Sequence, residues 1–323
     1  MLSLLLNAFN NKDSNMTGKT LSRIFIALAV IFIITLAVGS FWDLPIAQRL
    51  YHKDNTAAMV LSFIGFLMFF GICTFFLGVL FRQLLSSGKK TSFKILIVFV
   101  FIYLYVSTAT LIGAGVLNDP LFENMFAFQV SFMNCFLTGT LIYIPLFVFG
   151  MFINGNCYDR KVVKKSFELV IIMTLVFLLS TYFNCTIIRP HFRLLQNGNG
   201  FEPWYHLENN GKLFMSISDL ISAHPGSFIS GHAMYGILFL ILFPSLSLVF
   251  PRLQSKEKLL LVLGGLLGIA IIISRMITGD NYLSDISLGA ISSIKMCFSY
   301  NALPKRKGFF AKIKDRLKPG VNG

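Results

Sequence analysis

Three short polar clusters interrupt an otherwise apolar chain: Arg189-Pro190, Ser230-Gly231-His232, and Ser274-Arg275 followed by Asn281 and Asp285. Two arginines, a histidine, two serines and an aspartate beside hydrocarbon make a phosphate site by chemistry. Each guanidinium offers a planar fork to phosphate oxygens. Ser230 and Gly231 precede an apolar helix, where free backbone N–H groups and the helix dipole favour an anion. Gly231 also lets the backbone approach a ligand closely. His232 is placed to give a proton to a leaving oxygen. Asp285 stands one helical turn after position 281 and can orient a side chain there. Where such a site needs a nucleophile, this chain has an amide, Asn281.

Taken singly, most of these residues are ordinary. An arginine at the end of a membrane span usually snorkels to headgroups, and a serine at a helix start usually caps it. Asp285 alone reads as functional, because an acid inside an apolar span seldom survives without a task. The convergence of all three clusters on one face carries the argument. His191, His206 and His224 lie in the same outer loop without motif spacing, and Asp280 is a weakly supported candidate for activating water. The five cysteines, Cys73, Cys135, Cys157, Cys185 and Cys297, show no paired spacing and no cluster with histidine. Neither a metal nor a cofactor is expected.

The elements that must position these residues are membrane spans. Hydrophobic residues make up 55% of the 323 residues and charged ones 13%, with 35 phenylalanines. The mean hydropathy is +0.72. Eight apolar stretches are long enough, or nearly so, for a hydrocarbon core of about 30 Å. They run over 24–42, 57–81, 95–116, 127–153, 167–187, 232–250, 258–278 and 282–300. The sixth is interrupted by Pro244, and the eighth, with Asp285, Ser287, Ser292, Ser293 and Lys295, must face protein. The first is read as an uncleaved anchor, since its apolar run exceeds that of a signal peptide.

The net charge of +14 is a topology signal and no nucleic-acid footprint. With the N-terminus cytoplasmic, 21 of the 28 Lys and Arg fall on one side, in the N-terminal segment, the 82–94, 154–166 and 251–258 loops and the tail after 303. That is the positive-inside asymmetry for eight spans with both ends cytoplasmic and all three clusters at the outer face. The expected organisation is a cytoplasmic segment 1–23, a transmembrane domain 24–303 and a basic cytoplasmic tail 304–323. The outer loop 188–231 reads as a structured cap, with Phe201 to Tyr205 at headgroup depth. Apolar residues Leu2, Leu4, Leu5, Leu6 and Phe9 form an N-terminal patch, and Phe309, Phe310, Ile313 and Leu317 alternate with basic residues in the tail.

The spacing of the clusters resembles the type 2 phosphatidic acid phosphatase (PAP2) superfamily, membrane lipid phosphatases that share a helical core with vanadium haloperoxidases. The family pattern is Lys, six residues, Arg-Pro; then Pro-Ser-Gly-His; then Ser-Arg, five residues, His, three residues, Asp. Here it reads Tyr182, six residues, Arg189-Pro190; Ile229-Ser230-Gly231-His232; and Ser274-Arg275, five residues, Asn281, three residues, Asp285. Eight of eleven positions are kept, and Tyr182, Ile229 and Asn281 depart. The resemblance implies an all-α polytopic helical bundle with a six-helix core inside about eight transmembrane helices, so two of the first four are an addition. It also implies a metal-free phosphohistidine mechanism. Position 281 attacks, Asp285 orients it and His232 protonates the leaving group, while Arg189, Ser230, Gly231, Ser274 and Arg275 hold phosphoryl oxygens. Tyr182, in place of lysine, keeps only a hydroxyl for that task.

Three functions follow. One is hydrolysis of a membrane lipid phosphate or pyrophosphate, implied by the family. A second is a non-catalytic binder of such headgroups, favoured by Asn281, since an amide nitrogen is not nucleophilic. A third, a transporter, is disfavoured because the intramembrane charges sit at one face rather than near the midplane. The partners expected are the bilayer and a lipid phosphate. The sequence leaves the oligomeric state open.

Overall fold

The computed structural model of the chain describes residues 18–117, 131–153, 158–187, 189–195, 200–206 and 226–316, with side chains within 20–299. Among them are eight α-helices and no β-strand: α1 Gly18–Leu50, α2 Thr56–Leu85, α3 Thr91–Leu117, α4 Phe132–Ile153, α5 Arg160–Thr186, α6 Gly231–Ser245, α7 Glu257–Ile277 and α8 Leu283–Arg316. Each expected span overlaps one of these helices. The Leu2–Phe9 patch, His224, Leu317 and Lys318 lie outside the described residues.

Six of the helices, α1–α4, α6 and α7, are long and apolar enough to cross a membrane by length and composition, which marks an integral membrane protein. The sequences of α5 and α8 are less apolar on average. Large apolar side chains stay exposed along α1, α3 and α4, among them Ile33, Ile34, Phe99, Ile102, Leu141 and Phe152. Water does not tolerate such a surface; lipid does.

Three expected boundaries move. The segment after residue 42, expected as a loop, continues α1 to Leu50, with non-helical dihedrals at Trp42. Pro45 explains that kink, since it lacks the N–H that would bond Phe41 and its ring crowds that carbonyl. The consequence is that Asp43 points from a helix into the interior, 3% exposed. The sixth span ends at Ser245, just past Pro244, and the chain descends through two short 3-10 segments. The last helix runs on to Arg316, through much of the basic tail.

The helix α6 is the hub. All of Ala233 to Leu242 is buried, so the helix is apolar on every side. It packs on α7, α8, α2 and α5, while α1 packs mainly on α8 and the α3–α4 pair packs on α2. Backbones also approach closely where α6 crosses α7. A Cβ at Gly236 would lie 2.9 Å from the Gly268 carbonyl oxygen, and one at Gly268 would lie 2.3 Å from that of Gly236. A second close approach seats α8 on the start of α6, where a Cβ at Gly289 would meet the Ser230 carbonyl oxygen at 2.5 Å. These contacts fix the helix ends that carry the polar clusters.

Replacing Gly236 or Gly268 by leucine is expected to push α6 and α7 apart and destabilise the protein by at least about 1–3 kcal/mol. Thermal unfolding in detergent checks this, with Gly265→Leu as the comparison, because Gly265 meets only a flexible leucine side chain.

Candidate functional site

Two polar nodes form where α1, α2, α6, α7 and α8 meet the described part of the outer loop. The first centres on Arg189, which is 0% exposed. Its Nη2 donates to Asp43 Oδ2 (3.0 Å), its Nη1 to Asp285 Oδ1 (2.5 Å) and Ser284 Oγ (2.9 Å), and its Nε to the Glu202 carbonyl (3.0 Å). The Tyr282 ring covers the guanidinium at 4.0 Å. Asp43 also accepts from the backbone N–H and hydroxyl of Ser284, and Asp285 Oδ2 accepts from Tyr282 N (3.1 Å). Four of the five N–H groups of Arg189 are therefore committed inside the protein. Burial alone would lower its pKa, but Asp285 and Asp43 outweigh that and raise it.

The second node centres on Arg275 at the end of α7. After Ile277 the chain turns through Gly279, whose φ of +69° is the left-handed conformation that closes a helix. The turn brings the Asp280 and Asn281 amides back to the Arg275 carbonyl, at 3.1 and 3.2 Å. Arg275 Nη1 then meets Asp280 Oδ2 (2.9 Å) and Ser62 Oγ of α2 (3.0 Å). Its Nε donates to Asn281 Oδ1 (3.2 Å), and Ser230 Oγ donates to the same oxygen (3.1 Å). The Asn281 amide group donates in turn to the Ser227 carbonyl (2.6 Å).

Ser230 also caps α6 through Ala233 N (3.3 Å), and none of the hydrogen bonds described uses the Gly231 or His232 backbone N–H. The side chain of His232 lies within electrostatic reach of Arg275, and its Nε2 is buried with no hydrogen-bond partner among the described residues. A buried ring nitrogen in that condition calls for a ligand or water. The node as it stands can therefore hold one oxygen between a hydroxyl and a guanidinium, beside two helix-start amides and an imidazole.

The sequence candidates divide accordingly. Ser230, Gly231, His232, Arg275 and Asn281 come together at the second node, while Arg189 and Asp285 sit in the first, bound to each other. Among the bonds described, the Asp285 side chain does not meet that of Asn281, which it was expected to orient. Ser274 turns its hydroxyl to the Ile271 carbonyl of its own helix (2.7 Å), and Tyr182 is 45% exposed on α5. Both oxygens of Asp280 are engaged, Oδ1 by Arg193 (2.6 Å) and Oδ2 by Arg275 and Thr278 (2.7 Å), which leaves little for water activation. Residues missed from sequence are Asp43, Ser62, Ser284 and Arg193. Only Asp43 carried a signal, as the sole acid in the 33 residues of α1.

Residues 163–308 match the family model of the PAP2 superfamily. This part of the chain belongs to that superfamily. No curated protein and no solved structure gives a match. The PAP2 match spans almost all of α5 and runs well into α8, and it contains every motif position from Tyr182 to Asp285. It does not reach Asp43 or Ser62, so α1 and α2 complete a PAP2 cluster from outside the matched stretch. No side chain of α3 or α4 joins either node among the bonds described.

Next to the PAP2 motif, His191 is 8% exposed, and its Nδ1 is 2.5 Å from the Asp280 carbonyl oxygen. Burial, helped by Arg275 and Arg193, outweighs Asp280 and lowers the His191 pKa. For Asp280, burial pushes upward, but Arg275, His191, Arg193 and the Thr278 hydroxyl prevail and hold it below the ordinary carboxylate value.

Two predictions follow from these nodes. Arg189→Met leaves two buried carboxylates without their cation and is expected to lose about 3–5 kcal/mol. Arg49→Ala, at an exposed position, should stay within about 0.5 kcal/mol in the same unfolding assay. For His191 the unfolded chain takes a proton more readily than the folded one, so stability is complete above its ordinary pKa and falls as the pH drops below it. The unfolding midpoint should decline from about pH 7 to about pH 5, and His191→Gln should flatten that slope. The depressed Asp280 adds a further loss at lower pH, as its carboxylate is protonated.

Proposed function

We propose that this PAP2-like membrane protein binds the phosphate or pyrophosphate headgroup of a lipid at the Arg275 node and does not cleave it by the phosphohistidine route. One observation carries the reading: Ser230 Oγ and Arg275 Nε converge on a single oxygen, that of Asn281, at the position where the family motif has its histidine. The donors for a phosphoryl oxygen are in place, and the imidazole nucleophile is not. In the unliganded protein the Asn281 carbonyl occupies those donors. A headgroup displaces it, places one oxygen between Ser230 and Arg275, and takes further hydrogen bonds from the start of α6 and from His232 Nε2.

In this reading Arg189 and Asp285 are positioning residues. Their ion pair ties α8 to the outer loop, and the Asp285 carbonyl holds Ser230 N at 3.2 Å. His232 keeps the place of a general acid, but an amide at 281 cannot form the covalent phosphoryl intermediate that would need one. The site opens toward the outer face, with both termini cytoplasmic, on the strength of the lysine and arginine asymmetry. The α3–α4 pair, which gives nothing to either node, is the addition to the six-helix core.

The test uses the full chain in detergent micelles containing phosphatidic acid or, as control, phosphatidylcholine. Binding selective for phosphatidic acid is expected, with no phosphate released. Arg275→Gln should weaken it by about 10- to 100-fold, the worth of one charge-assisted hydrogen bond. Asn281→Ala, which removes the internal oxygen, should tighten it. Phosphate release by the unaltered chain, abolished by His232→Ala, would sink the non-catalytic reading. Release that appears only in Asn281→His would support a site that binds but lacks its nucleophile.

A further inference from the structure

Hydrogen-bonding capacity around the start of α6 is not spent evenly. On the α7 side, Ser230 and Arg275 bring donors, and both meet the Asn281 oxygen. On the α5 side, acceptors are left over. Ser180 and Asn184 stand about one helical turn apart on the same face of α5. A Cβ at Gly231 would lie 3.3 Å from both Ser180 Oγ and the Tyr235 hydroxyl, so this face packs directly on the start of α6. Ser180 donates to the Phe177 carbonyl (2.9 Å), so in its bond with Tyr235 the phenol is the donor and keeps its lone pairs. The backbone carbonyl of Asn184 accepts from Gly226 N (3.1 Å), which holds the end of α5 against the segment leading to Ser227. Asn184 Oδ1 and Ser227 Oγ are buried with no hydrogen-bond partner among the described residues.

A phosphate dianion has only acceptor oxygens and cannot satisfy Asn184 Oδ1 or the Tyr235 lone pairs; an O–H group can. Between Ser230 and Leu242 only Gly231 and His232 are partly exposed, so the start of α6 opens to a ligand where the two sets of groups meet. Successive Cα atoms lie about 3.8 Å apart, so donors at Ser230 and acceptors beside Gly231 are spaced for a phosphate and a hydroxyl on the neighbouring carbon. We propose that the lipid of the Arg275 node is a phosphate monoester with a free hydroxyl on the carbon next to the phosphoester carbon. Tyr235 and Asn184 read that hydroxyl, with the Ser227 hydroxyl beside them. This rests on the proposed function, in which the node binds a lipid phosphate.

Binding to the full chain in detergent, measured for 1-acyl lysophosphatidic acid and for its analogue lacking the sn-2 hydroxyl, isolates that one group. The hydroxylated lipid should bind about tenfold more tightly, the worth of one good hydrogen bond. Tyr235→Phe, whose ring keeps its stacking on Phe69 (centroids 4.0 Å), should reduce that ratio, as should Asn184→Leu. Arg275→Gln should weaken both lipids and leave the ratio in place. Equal affinity for the two lipids in the unaltered chain would overturn this subsite and leave the node standing. A ratio that neither Tyr235→Phe nor Asn184→Leu moves would assign the hydroxyl elsewhere and overturn it too. Failure of both lipids to bind would bring down the node and the subsite together. Competition by sn-glycerol 3-phosphate as strong as that of the lysolipid would make the ligand a soluble ester and overturn the lipid assignment. If Tyr235→Phe does not fold, the ratio in Asn184→Leu decides.

Discussion

A guanidinium that has lost all contact with water has to be surrounded by matched acceptors, and Arg189 meets that demand by drawing three distant segments together. Asp43 comes from α1, Ser284 and Asp285 from α8, and the Glu202 carbonyl from the outer loop. Such a buried cluster adds little net stability over apolar packing, yet it is severely damaged when one member is removed. Its value is positional. It fixes the start of α8, whose Asp285 carbonyl holds Ser230 N, and so sets where α6 begins. The second node inherits its geometry from the first.

Under the proposed function, the second node is a phosphate-type cradle without its nucleophile. The Asn281 side chain fits between Ser230, Arg275 and the Ser227 carbonyl and satisfies all three. A histidine at 281 would offer ring nitrogens in place of an amide carbonyl and would leave these donors differently paired. Under the proposed function, binding and bond cleavage have been separated at a single residue. The Asp43–Arg189–Asp285 cluster, which does not include residue 281, ties α1, α8 and the outer loop together.

The bundle also divides by task. α2 and α6 are largely buried and link the nodes to the core, through Ser62 and Ser230 respectively, whereas α3 and α4 present apolar side chains outward and, among the described residues, join neither node. Lys295, on α8, is a charged residue exposed within an expected span.

The amino-acid order alone determined the eight helices, because apolar runs of membrane length have few alternatives. It also carried the PAP2 motif, since its residues recur at fixed offsets from helix ends, and it exposed Asn281 as the departure. What it left out was pairing. Asp43 looked like a loop residue because the expected first span stops at residue 42. Arg189 was expected to hold phosphoryl oxygens and Asp285 to orient residue 281, whereas the two bind each other. Which oxygen meets which guanidinium depends on contacts as far apart as the 241 residues between Asp43 and Ser284. Only the tertiary structure decides that, because burial forces each charge to take whatever partner the packed helices bring within reach.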